Sequence, residues 1–85
     1  MTSQDFVLNT VKLIANYPQD VNIQRSIDER GVLLTINLNP NDCGLIIGRA
    51  GAVIGAIRTL ARIVGIKSNE TVSIRINDPR HAERR

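Results

Sequence analysis

Hydrophobic positions along this chain change period three times, and with the turn at Asp28 to Gly31 and the bend at Gly48 to Gly51 the changes divide it into six elements. Phe6, Val7, Val11, Ile14 and Ala15 recur at helical spacing, which predicts an amphipathic helix from Ser3 to Tyr17. Thr2 and Asp5 supply a capping box at its start, and Pro18 stops it. Val21, Ile23 and Ile27 then alternate with Asn22, Gln24 and Ser26, a strand with one apolar face on which Arg25 is the lone exception. Asp28, Glu29, Arg30 and Gly31 make a short turn, and Val32, Leu34, Ile36 and Leu38 line one face of a second strand, so the two should pair as an antiparallel hairpin.

Asn39, Pro40, Asn41 and Asp42 break the strand and offer caps for a short helix over Cys43 to Ile47, with Asp42 the helix cap and Cys43 a small buried residue. After Gly51 the helical period returns. Val53, Ile57, Leu60, Ala61 and Val64 form one stripe of a helix that begins near Ala52 and ends at Gly65, with Arg58 and Arg62 four apart on its polar side. Val72, Ile74 and Ile76 alternate with Ser73, Arg75 and Asn77 as a third strand, stopped by Pro79. Each strand has a single apolar face, so the helices must cover that face and leave the other to water. The expected fold class is α+β, in the order αββααβ, a three-stranded sheet with three helices on one face. One domain is expected over 2–78, with a basic tail over 79–85.

Composition changes this picture little. A chain of 85 residues buries about 60 to 65% of its unfolded surface, enough for one two-layer core and not for a deep enclosed catalytic pocket. Charge changes it more, because the net +3 is unevenly placed: from Cys43 to Asn69 stand Arg49, Arg58, Arg62 and Lys67 with no acid, while the first 42 residues carry five acids against Lys12, Arg25 and Arg30. Arg80, Arg84 and Arg85 form a second basic cluster.

The basic stretch contains the segment with the clearest chemistry, LIIGRAGAVIGAI from Leu45 to Ile57. Gly48 and Gly51 bracket a bend between two helical segments, where a missing Cβ lets a ligand backbone come against the main chain. The helix that follows points its unpaired amides and partial positive end into the same bend, which favours an anion. Arg49 adds a formal charge. The arrangement is a candidate phosphate clamp, and the basic surroundings point to nucleic acid.

Other function classes find less support. His81 is the one histidine and stands in the tail, Cys43 has no evident base, and no carboxylate pair lies near the loop, so acid–base and nucleophilic machinery are missing. Gly44, Gly48 and Gly51 do not make G-x-G-x-x-G, and no lysine follows a glycine to form a P-loop. A single cysteine suggests neither a disulfide nor a metal site, and fits a reducing cytosol. MTSQDFVLN lacks a basic region before an apolar core and is not expected to be a secretory signal. The low-charge run from Cys43 to Ile57 is interrupted by Arg49 and falls short of the about 20 apolar residues a bilayer requires. No membrane association and no cofactor are expected, and the location should be cytoplasmic.

Ile46 to Ile54, I-I-G-R-A-G-A-V-I, resembles the I-G-x-x-G-x-x-I signature of the KH domain, and with the αββααβ order the chain is similar to the prokaryotic, type II form over residues 2–78. Together with AIRTL at Ala56 to Leu60 it resembles the bacterial KhpA family of single-KH RNA-binding proteins. That resemblance implies a single-stranded RNA ligand, low sequence specificity, and a role as RNA chaperone or post-transcriptional regulator. It implies that Gly48, Arg49, Ala50 and Gly51 contact the backbone of about four nucleotides, that Ile46, Ile47 and Ile54 back the loop, and that Leu38 and Val53 line the groove. Arg58 joins the RNA-binding set. Core packing explains the five apolar positions equally well. An aromatic content of 2% suits an apolar groove and not a stacking platform. Ala50, Ala52 and Gly55 stand where members of the family commonly carry cations or glutamine, which implies weaker and less salt-sensitive binding. The rival reading is a protein-interaction module. Ala52, Gly55, Ala56 and Thr59 put small residues three and four apart on one helix, suited to close packing against a partner helix or against the protein's own sheet. The resemblance likewise implies homodimerisation or pairing with a larger multidomain KH protein.

Overall fold

Regular alternation makes the central strand of the sheet, and everything else packs around it. The computed structural model describes residues 2–77. Its elements are α1 (Ser3–Ile14), β1 (Asn22–Asp28), β2 (Gly31–Asn37), α2 (Cys43–Ile47), α3 (Ala52–Lys67) and β3 (Val72–Asn77), with 3-10 turns at Pro18–Asp20, Pro40–Asp42 and Arg49–Gly51. The fold is α+β in the expected order. Pro79, Arg80, His81, Arg84 and Arg85, and so the expected domain end and basic tail, lie outside the described residues.

The sheet order is β1-β2-β3. β1 and β2 form the antiparallel hairpin, with Asp28 opposite Gly31 and Asn22 opposite Asn37. β3 joins the other side of β2 in parallel, Val32 opposite Val72 and Asn37 opposite Asn77. A parallel pair needs a crossover of a dozen or more residues, and here α2, the glycine loop and α3 provide it. Val32, Leu34, Ile36, Val72 and Ile74 are buried on the covered face against Val7 and Val11 of α1, Ile46 of α2, and Ile54, Ile57 and Ala61 of α3. On the open face three asparagines stand in register across the strands. Asn77 Nδ2 donates to Asn37 Oδ1, and Asn37 Nδ2 donates to Asn22 Oδ1, each at 2.8 Å.

Four details depart from the sequence reading. α1 stops at Ile14, three residues before Tyr17, because Ala15 is already extended and the buried carboxylate of Asp42 accepts hydrogen bonds from the amides of Asn16 at 3.1 Å and Tyr17 at 2.9 Å. Asp42 therefore terminates α1, and its side chain caps nothing in α2. Ile27 is 66% exposed, at the hairpin end of an edge strand. The stripe on α3 is turned: Ile54, Ile57, Ala61 and Gly65 are buried, Leu60 is exposed and Val53 and Val64 are half-buried. The cause is Gly65, which lies so close to β3 that a Cβ there would stand 2.5 Å from Val72 Cγ2. Gly65 is consequently a packing point inside the helix, which continues to Lys67.

Arg25, the exception on β1, has a partner 45 residues away. Its Nη2 lies 3.0 Å from Glu70 Oε2, while Ser3 Oγ donates to the other oxygen of Glu70 at 3.4 Å. The pair ties the edge strand to the segment leading into β3.

Candidate nucleic-acid interface

The two glycines of the loop do different work. Gly48 ends α2 with φ +78°, and a Cβ on it would meet Val53 Cγ2 at 2.5 Å and Val53 N at 2.8 Å. Its lack of a side chain is thus required by the protein's own first turn of α3. Gly51, at φ +79°, has open space where its Cβ would be. Only Gly51 is free of the fold on its side-chain side, so it is the position where another molecule's backbone could come close. Between them Ala50 also takes a left-handed conformation, φ 55° and ψ 26°, which L residues adopt at a cost of about 1 to 2 kcal/mol.

Arg49 and Ala50 are exposed at the tip of the bend. No side chain caps the start of α3, a helix of 16 residues whose positive end opens onto the loop. Hydrogen bonds from Gly48 N to Gly44 O at 2.9 Å and from Gly51 N to Gly48 O at 3.2 Å hold the turn from within. The result is a cationic bend at a helix start that no side chain caps, suited chemically to a phosphate oxygen.

Ile46 and Ile54 are fully within the core, so they support the loop from behind, and Leu38, at 9% exposure, belongs to the same cluster. Ile47 and Val53 are partly buried at the margin of the core. The structure therefore leaves these two, of the five apolar positions, with surface next to the bend. Arg58 sits some 9 Å along α3 from Ala52 at the rise of an α-helix, and its Nε donates to the main-chain oxygen of Ile74 at 3.4 Å. That contact, invisible in the sequence, lays the guanidinium across the seam between α3 and the outer edge of β3.

Gly55 faces outward, with open space around the position of its Cβ. With Ala52, Ala56 and Thr59 it begins an uncovered helix face that continues into Ile63, 54% exposed, and Ile66, 69% exposed. Among the described residues no single helix is long and apolar enough to cross a membrane, and no group of three or more His, Cys, Asp or Glu could hold a metal ion.

The model of the KhpA/KhpB KH domain matches residues 4–76. The "RNA-binding protein KhpA" of Clostridium perfringens is 32% identical over 65 residues, covering 76% of this chain and 87% of that protein. The protein of the same name from Bacillus subtilis is 27% identical over 75 residues, covering 88% and 93%. That from Leifsonia xyli is 40% identical over 52 residues, covering 61% and 68%. No solved structure gives a significant match. These relatives carry the names of RNA-binding proteins and not of enzymes. The helix, G-R-A-G bend and helix stand inside the matched segment, on an α+β frame with a parallel β2–β3 pair, and the chain belongs to the KhpA/KhpB family of KH domains.

Proposed function

We propose that this protein binds single-stranded RNA, with the backbone of the strand held at Gly48, Arg49, Ala50 and Gly51 and the neighbouring bases against Ile47, Val53 and Arg58. The observation that carries this reading is the exposed Arg49–Ala50 tip set on the uncapped start of α3 in a chain of the KhpA/KhpB family. Ile46, Ile54 and Leu38 contribute by holding the loop in place. With few cations at the bend, affinity is modest, and specificity is low because a backbone grip reads no sequence. Such a protein acts as an RNA chaperone or post-transcriptional regulator in the cytoplasm. Replacing Arg49 and Ala50 together by aspartate tests the site. The variant should keep its fold, since both positions are exposed and aspartate tolerates a left-handed backbone. It should lose about 2 kcal/mol of binding to oligouridine, roughly thirtyfold. Unchanged affinity in a folded variant would place the contact elsewhere.

A second reading stands beside it, and the two are compatible. Ala52, Ala56, Thr59, Ile63 and Ile66 follow one another at intervals of four, three, four and three, the spacing of a seam between paired helices. All five are exposed. We infer that this face of α3 pairs with the same face of a second copy, or with the KH domain of a larger protein. Sedimentation of the wild type and of Ile63→Asp, without RNA, tests it. A monomer in both cases would remove the pairing with a second copy.

A further inference from the structure

Asp42 fixes more than the end of α1. Its buried carboxylate holds the amide of Tyr17 at 2.9 Å, and the next residue, Cys43, begins α2. Tyr17 therefore stands at one end of α2 and the bend at the other, with about 7 Å of helix between them. Tyr17 is 39% exposed, and its hydroxyl makes no hydrogen bond among the described residues. The residue is thus pinned by its main chain and leaves part of its ring on the surface.

The exposed positions of α2 lead from Tyr17 towards the bend. Gly44 and Leu45 stand four and three residues before Gly48, on the helix face that runs into it. Leu45 is 43% exposed, and Leu13, in the last turn of α1, is 87% exposed. Gly44 has open space at the position of its Cβ, so packing does not require a glycine there, although glycine is second only to proline in disfavouring a helix. It leaves a bare strip of main chain on which another molecule can lie close. Charge around Tyr17 is balanced. Lys12 stands in the last turn of α1, and Asp20, which accepts a hydrogen bond from Asn39 at 3.0 Å, follows three residues after Tyr17.

We propose that Tyr17 is a stacking site for a base that flanks those held at the bend, reached by the RNA strand passing over Gly44 and Leu45. The inference rests on the RNA-binding reading above and extends it to the α2 side, away from the seam between α3 and β3. At about 3.4 Å per stacked nucleotide, some two nucleotides cover the span. The strip is continuous with the bend, which makes the strand already held there the occupant. Every base has a π-face, so the site lengthens the footprint without reading sequence.

The chain has one tyrosine and no tryptophan, so tyrosine emission reports this ring alone. Titration with oligouridines of about four and about eight nucleotides, with binding followed in parallel by anisotropy of a labelled strand, tests the site. After correction for nucleotide absorbance, the longer strand should quench Tyr17 over the concentrations at which it binds, and the shorter should leave the emission unchanged. Tyr17→Ala should bind the longer strand about tenfold more weakly. Its affinity for the shorter strand and its salt slope should stay as they were, because no cation is removed. Tyr17→Phe keeps the ring and should keep the affinity. A longer strand that binds without quenching, or a Tyr17→Ala variant that binds both strands as the wild type does, would overturn the site and leave the clamp standing. Equal losses on both strands, with no quenching in the wild type, would assign Tyr17 to the fold and overturn the site as well. Emission that changes on diluting the protein alone, and not on adding RNA, would give this surface to a second copy in place of a base. Failure of the wild type to bind either strand would overturn the clamp and the stacking site together.

Discussion

Gly48 lies directly beneath Val53, with room between them for a hydrogen and not for a methyl group. The bend and the first turn of α3 are therefore one packed unit. Gly48→Ala should cost about 3 kcal/mol, from the contact and the positive φ together. Gly51→Ala meets no neighbour and should cost only the φ penalty, about 1 kcal/mol. Thermal melting of the two variants should place Gly48→Ala well below Gly51→Ala, and the reverse order would contradict the contact.

Ala50 is held at φ 55°. A β-branched residue tolerates that region poorly, so Ala50→Val should melt lower than wild type by a shift worth about 1 to 2 kcal/mol, whereas Ala50→Asn should be close to neutral. Chemical denaturation of both variants checks the pair.

Asp42 accepts two main-chain hydrogen bonds from a segment 25 and 26 residues earlier. Asp42→Ala leaves both amides without that partner and a gap in the core, and should cost about 3 kcal/mol. Asp42→Asn keeps one acceptor oxygen and should cost less. Urea unfolding, with the midpoint read at constant slope, measures both.

Gly55 has space around it, so Gly55→Leu should leave the monomer folded and raise its stability by about 1 kcal/mol through helix propensity. On a paired α3 face the same change should weaken association. A fall in melting temperature with no change in sedimentation would show that Gly55 packs inward.

Arg49 is the cation proposed to meet the backbone of the gripped strand. For a short oligonucleotide the logarithm of affinity should fall with the logarithm of salt at a slope of about −0.7. A slope several times steeper would mean that other cations take part.

The frame was legible because alternation in Val32 to Leu38 and in Val72 to Ile76 leaves one way to bury each strand, and because Gly48 and Gly51 punctuate two helices. What escaped is what depends on residues distant in the chain. Nothing near Tyr17 announces that Asp42 will end α1, nothing near Arg25 announces Glu70, and the rotation of the α3 stripe follows from Val72 approaching Gly65. At the bend the two glycines look alike in sequence, and only the position of Val53 distinguishes their tasks.

β2 and β3 run parallel, and the bend lies on the only path between them. The β1–β2 hairpin closes locally, whereas the β2–β3 pairing closes across α2, the bend and α3 and is the long-range contact of the sheet. Undocking β3 also removes Val72 from Gly65 and Ile74 from Arg58, the contacts that position α3 behind the bend. A bound strand that requires the bend therefore favours the state with all three strands in place, and at concentrations of about 100 times Kd it stabilises that state by about 2.7 kcal/mol. Amide exchange in β3 should slow in the presence of RNA, although the amides that slow pair with β2 and touch no nucleotide.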